Sequence, residues 1–100
     1  MSLTGKQRRH LRSLAHHLDP VLMVGQSGVT EAVIEKTDFE LENHELIKLR
    51  VLDSAPLSAK EAGAELTKAT RSELAQVIGR MVVLYRPRAK KPTIRLPKSD

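Results

Sequence analysis

Between residues 21 and 52 the chain spells out a complete crossover, and this constrains the fold more than any other feature. Val21-Leu22-Met23-Val24 is a short, wholly apolar run that reads as a strand buried on both faces. Gly25-Gln26-Ser27-Gly28 breaks it. A helical pattern follows, from Val29 or Thr30 to Glu42: Val29, Val33, Thr37 and Leu41 recur every four residues. Glu31, Glu35, Asp38 and Glu42 take its outer face, and Asn43 is the expected C-cap. Leu46 to Leu52 is a second strand, with Lys48 and Arg50 alternating onto one face. A strand, a helix and a strand in this spacing predict two parallel strands joined by a crossover.

The flanking elements complete an α/β domain. A first helix is expected from Gly5 to His17, with Thr4 as N-cap. Gln7, Leu11, Leu14, Ala15 and Leu18 make its buried stripe. Arg9, Arg12 and His16 fall on one flank, and Lys6, His10 and His17 on the other, so its exposed side is basic. Asp19-Pro20 ends it, because the residue before a proline avoids the helical region. A third helix is expected over Ser58 to Thr70, with Ala62, Glu65, Leu66 and Ala69 inward and Gly63 weakening it. Leu74 to Ile78 and Met81 to Tyr85 are strands joined by Gly79-Arg80, the signature of a tight hairpin with a type II′ turn. The order α-β-α-β-α-β-β predicts a two-layer α/β sandwich with a mixed four-stranded sheet. The domain is expected over residues 1–86, followed by a basic tail over 87–100.

Charge narrows the partner. The net charge is +5, but both ends are basic and the middle is acidic. Residues 1–18 hold Lys6, Arg8, Arg9 and Arg12 and no acid, and the last fifteen hold six Lys and Arg against Asp100. This asymmetry suggests a polyanion partner, the alternative being basic termini that only aid solubility. At 100 residues the chain supports one core. It has no cysteine, which excludes a disulfide scaffold, a zinc finger and a Cys nucleophile, and fits a reducing compartment. No apolar run approaches the roughly 18 residues of a membrane helix, and none follows the basic stretch Met1 to Arg9 as a signal peptide requires. The expected address is the cytoplasm. Phe39 and Tyr85 are the only Phe, Tyr or Trp, too few for the stacking platform of an RNA-recognition motif or an OB-fold. A bound nucleic acid would be held mainly by its backbone.

Gly25-Gln26-Ser27-Gly28 is the candidate site. Its glycines permit a sharp turn and close approach of another molecule. The following helix offers unpaired N–H groups and the positive end of its dipole, and Ser27 adds a hydroxyl. Such a bend holds a phosphate without a charged side chain, as the Gly-x-x-Gly loop of KH domains clamps a nucleotide backbone; an ordinary strand-to-helix turn has the same spacing. Neither the Rossmann glycine pattern nor a P-loop is present. A nucleophile elbow needs glycine where Val29 stands, and no base for Ser27 is evident. His10, His16, His17 and His44 lack helical metal-site spacing, so no metal or other cofactor is expected. The acidic second helix repels phosphate, so RNA must lie on the side of the bend facing the first helix.

Three stretches in order carry a resemblance. The first is Leu3-Thr4-Gly5-Lys6-Gln7-Arg8-Arg9-His10-Leu11, continued by Leu14-Ala15-His16. The second is Val24-Gly25-Gln26-Ser27-Gly28-Val29-Thr30-Glu31, followed by His44-Glu45-Leu46-Ile47-Lys48. The third is Val77-Ile78-Gly79-Arg80 with Val83-Leu84-Tyr85-Arg86-Pro87. The chain resembles the YhbY family of small bacterial RNA-binding proteins, single CRM domains (chloroplast RNA splicing and ribosome maturation). The resemblance implies a fold similar to the C-terminal domain of translation initiation factor three and a glycine loop likened to that of KH domains. It implies association with precursors of the large ribosomal subunit, through ribosomal RNA, and a part in their assembly. Carried over by position, the RNA-binding residues are Gly25, Gln26, Ser27 and Gly28, with Lys6, Arg8, Arg9 and Arg12, joined by Lys48 and Arg80.

The leading expectation is therefore an RNA-binding protein without catalysis, small-molecule substrate or membrane. A second is a protein–protein adaptor on the ribosome, docking through the acidic second helix. A third is a hydrolase using Ser27. The oligomeric state is left open.

Overall fold

The computed structural model describes residues 3–98; residues 1, 2, 99 and 100, at the ends of the expected domain and tail, lie outside them. Helix α1 spans Gly5–Ala15. Thr4 opens it with a capping box: its Oγ1 accepts from the Gln7 N–H at 3.1 Å, and the Gln7 side chain accepts from the Thr4 N–H at 3.0 Å. Two donors that a helix start leaves orphaned are thereby satisfied. Then come β1 (Pro20–Val24), α2 (Glu31–His44), β2 (Leu46–Val51), α3 (Ala59–Thr70), β3 (Glu73–Ile78) and β4 (Met81–Tyr85). The expected order of elements stands. The four strands form one mixed sheet, ordered β1-β2-β4-β3. β1 runs parallel to β2, and β4 is antiparallel to both of its neighbours.

The two faces of the sheet are covered unequally. On one face α2 and α3 form a helix layer, and Leu22, Val24, Ile47, Leu49, Val51, Val82 and Leu84 meet Leu41, Ala62 and Leu66 there. Gly63 is what seats α3: an added Cβ would lie 3.1 Å from Leu74 Cδ1 and 3.2 Å from Val82 Cγ1. The other face carries a smaller cluster in which Leu11 and Ala15 of α1 pack on Leu46, Ala75, Val83 and Tyr85. α1 covers only part of this face.

Five local expectations change. α1 ends at Ala15 rather than His17, and the Leu18 N–H bonds to the Ala15 carbonyl at 2.9 Å as the chain turns toward Pro20. Of its predicted stripe, Leu11 and Ala15 are buried, but Leu14 and Leu18 are exposed and line a groove of about 440 Å³ with Val21, Leu46 and Ile94. Leu18 lies beyond the end of α1, and Leu14 faces this groove rather than the Leu11–Tyr85 cluster. β1 is not buried on both faces: Met23 is 59% exposed, because β1 is an edge strand and α1 does not reach that end. α2 continues past Asn43 to His44, and its C-cap is Glu45 at φ 62°. α3 is rotated from the predicted register. Ala59, Ala62, Gly63, Leu66 and Thr70 are buried while Glu65 and Ala69 are exposed, since the side without a Cβ packs closest.

No described helix is long and apolar enough to cross a membrane.

Candidate nucleic-acid interface

The glycine bend begins where β1 leaves the sheet. The Val24 carbonyl still accepts from the Leu52 N–H at 2.9 Å, and the Gly28 N–H then closes a turn on the Gly25 carbonyl at 2.9 Å. Gly28 has φ +73° and is buried, and a Cβ there would sit 3.2 Å from Pro56 Cγ. Both the backbone angle and the close neighbour call for glycine. Gly25 differs: its φ is not positive, and a Cβ would meet Leu52 Cδ1 at an ordinary 3.7 Å. Gln26 and Ser27, between them, are exposed. Among the described residues their main-chain N–H groups meet no acceptor. Thr30 then caps α2, its Oγ1 accepting from the Val33 N–H at 3.2 Å. The bend thus keeps two unpaired main-chain donors a few residues before the N-terminus of α2.

β1 and β2 are parallel and β4 returns antiparallel, so the bend and the β3–β4 hairpin share one end of the sheet. That is the end α1 leaves open. The register lines residues up in rows on the α1 side. Met23, Arg50, Met81 and Ile78 lie side by side across all four strands. The next row is Pro20, Lys48, Val83 and Gln76, with Val83 already beneath α1. Between α1 and this open half runs a groove of about 730 Å³. Arg9, Arg12, Ser13, His16 and His17 form one bank, and Lys48, Gln76 and Ile78 the other. No acidic residue lines it. Among the described residues, Arg9, Arg12, Lys48 and Arg50 have no ion-pair partner.

The structure therefore sorts the predicted site residues. Arg9, Arg12 and Lys48 come together in one groove. Gly25 to Gly28 stand at the end of the sheet that α1 leaves open, where the chain passes over to α2 on the opposite face. Lys6 is exposed one turn before Arg9 but does not line the groove. Arg8 lies apart, in a shallow depression with Lys60, Leu74 and Val77 at the β3 edge. Arg80 is at the hairpin tip beside the bend, where it is ion-paired with Asp53. Arg50, His16 and His17 were not among the predicted site residues. The signal for Arg50 was its period-two spacing from Lys48; that for the histidines was their place on the basic side of the helix.

The C-terminal segment also folds onto the α1 side. Ile94 and Leu96 pack on the Leu11–Tyr85 cluster, and the Gln7 side chain donates to the Pro97 carbonyl at 3.1 Å. On the far face, Arg86 engages Asp38 at 2.6 Å and Glu42 at 3.3 Å, which neutralises part of the acidic side of α2. No cluster of three metal-binding side chains occurs among the described residues.

Element order and sheet topology define the class first: a small α/β domain of three helices and a mixed four-stranded sheet with a glycine bend leading into its second helix. The chain belongs to the CRS1/YhbY (CRM) domain family, whose model matches residues 3–86. It is 43% identical over 95 residues to the probable RNA-binding protein YqeI of Bacillus subtilis, covering 95% of this chain and 99% of that one. It is 37% identical to an RNA-binding protein of Haemophilus influenzae, covering 97% of each. The solution structure of hypothetical protein SAV1595 from Staphylococcus aureus superposes with a TM-score of 0.78 at 49% identity, covering 95% of this chain and 99% of that one.

Proposed function

We propose that this protein is a non-catalytic, cytoplasmic RNA-binding protein that grips RNA backbone between its glycine bend and the basic flank of α1. Following the family resemblance, its target is ribosomal RNA in precursors of the large ribosomal subunit, whose assembly it assists. The observation that carries the reading is the acid-free groove in which Arg9, Arg12 and Lys48 converge, beside the end of the sheet from which the bend departs. Cations without internal partners gain by exchanging condensed counterions for phosphates. The unpaired amides of Gln26 and Ser27 add donors that need no side-chain charge. The RNA approaches from the α1 side, since Glu31 and Glu35 are exposed on α2. The names of the relatives support RNA as the ligand class.

The adaptor reading has less behind it. Arg86 occupies Asp38 and Glu42, and Glu40 is engaged by Lys36 and His44. The hydrolase reading lacks a base, because no hydrogen bond joins Ser27 to a histidine or carboxylate among the described residues.

Crosslinking in cells, with mapping of the RNA sites, tests the proposal. Crosslinks concentrated in large-subunit ribosomal RNA at Gln26, Ser27 and Arg12 are expected. Crosslinks spread evenly over cellular RNA would remove the assembly role, and none at all would remove RNA binding.

A further inference from the structure

We propose that the row Met23, Arg50, Met81 and Ile78 is a platform for unstacked bases, so that the RNA held on this face is single-stranded. The inference rests on the RNA-binding reading and deepens it, because that reading concerns the backbone alone. Met23 and Ile78 stand at the two ends of the row, and each is 59% exposed. No helix overlies them, and the row spans about 14 Å by the usual strand spacing. Lone exposed apolar side chains are ordinary, but two in register on one open sheet face, with Arg50 between them, make a continuous surface.

The chemistry suits a base. Methionine is unbranched, and its polarisable thioether makes favourable contacts with aromatic rings. The planar guanidinium of Arg50 stacks on a base face. Every base has such a face, so the row selects unpaired bases without selecting sequence. Neither Phe39, on α2, nor Tyr85, buried beneath α1, lies in the row to perform this task. The surroundings specify a polyanion: Lys48 lies in the adjacent row, Arg12 stands across an acid-free groove, and the bend adjoins Met23 through Val24. A duplex offers the same phosphates but keeps its base faces stacked, and it cannot use the platform.

The test is a binding cycle on the full chain. Wild type and a Met23→Ser variant, which leaves the groove lining intact, are titrated with a short single strand, the same strand carrying abasic sites, and the matching duplex. Met23 is exposed, so the variant is expected to fold, and circular dichroism checks it. Wild type should bind the intact strand about tenfold more tightly than the abasic one. The variant should lose that preference, yet bind the abasic strand and the duplex as wild type does, with an unchanged salt slope. Equal binding of intact and abasic strands by wild type overturns the platform and leaves the backbone grip standing. A variant that keeps the full preference also overturns it, because the bases are then recognised elsewhere. Failure of wild type to bind any of the three overturns both readings.

Discussion

The Glu45 carboxylate accepts from both the main-chain N–H and the hydroxyl of Thr93, at 2.6 and 2.5 Å, and so ties the end of α2 to the C-terminal segment. The N–H groups of Arg88 and Ile94 add bonds at 2.9 and 3.1 Å. Glu45 is fully buried and sits at φ 62°, an angle that costs a non-glycine residue about 1–3 kcal/mol. These bonds explain why a carboxylate stands there. Burial raises its pKa, but the Thr93 hydroxyl and the three main-chain donors together outweigh burial and hold it below the usual carboxylate range. The same charge, after burial, pushes the Tyr85 phenol up. The basic segment is thereby folded onto the domain.

Glu45→Gln should destabilise the protein by about 1.5–3 kcal/mol, the value of hydrogen bonds to a charged group. Because the folded-state pKa lies below the unfolded one, the carboxylate stabilises the fold above the unfolded value. That stabilisation is lost as pH falls through the folded value. Denaturant midpoints measured across the acid range should therefore fall less steeply in Glu45→Gln than in wild type. Amide exchange at residues 88–94 should rise in the variant.

Gly28→Ala and Gly25→Ala should separate structure from binding. Gly28 at φ +73°, against Pro56, leaves no comfortable place for a methyl group, so Gly28→Ala should cost about 1–3 kcal/mol. Gly25→Ala meets only an ordinary contact with Leu52 and should leave the melting curve nearly unchanged. If the bend holds phosphate, Gly25→Ala should still weaken RNA binding, because the methyl group obstructs approach to the Gln26 amide. Undiminished affinity in that variant would take the bend out of the site.

Arg12→Glu should weaken binding to every RNA about equally. It should also flatten the log–log salt dependence by about 0.7 for each single-strand phosphate that Arg12 neutralises in wild type. Arg8→Glu should do less, because Arg8 faces the β3 edge outside the groove. Arg80→Glu also reaches beyond the site, since it places a second acid beside Asp53. Salt titrations of the three variants against one RNA rank them directly. Equal effects at Arg8 and Arg12 would mean that total charge, and not the groove, governs affinity.

Gly63→Ala tests packing against propensity. Alanine favours a helix interior over glycine by about 1 kcal/mol. Here the new methyl would press on Val82, a stiff β-branched side chain in an interior strand, and on Leu74. Overpacking of this kind typically costs about 1–3 kcal/mol, so net destabilisation is expected in chemical denaturation. A net gain would show that α3 can lift at no cost.

Much of the fold is legible in local patterns. The Thr4 N-cap, the crossover from Val21 to Leu52 and the Gly79-Arg80 hairpin each depend on residues close in sequence, and each forms as expected. Expectation and structure part where a distant partner decides. The exposure of Leu14, Leu18 and Met23 depends on how much of the sheet α1 reaches, and helical periodicity carries no record of that width. The inward face of α3 differs from expectation because a glycine within a helix reads as a weakness, whereas its missing Cβ is the point of closest approach. Among the candidate site residues, the sequence names the bend and most of the groove's cations. It cannot divide Arg9 and Arg12 from Arg8, because their separation is set by where the β3 edge falls.

By itself, the chain of residues determined the order of elements, the glycine turn and the basic character of α1, since each follows from backbone sterics or from periodicity over a few turns. The tertiary structure alone decided that α1 would cover half a face, that Met23, Arg50, Met81 and Ile78 would align across four strands, and that Glu45 would anchor a segment beginning at Arg88. Those outcomes depend on strand register and on contacts between residues far apart in the chain, which no local preference encodes.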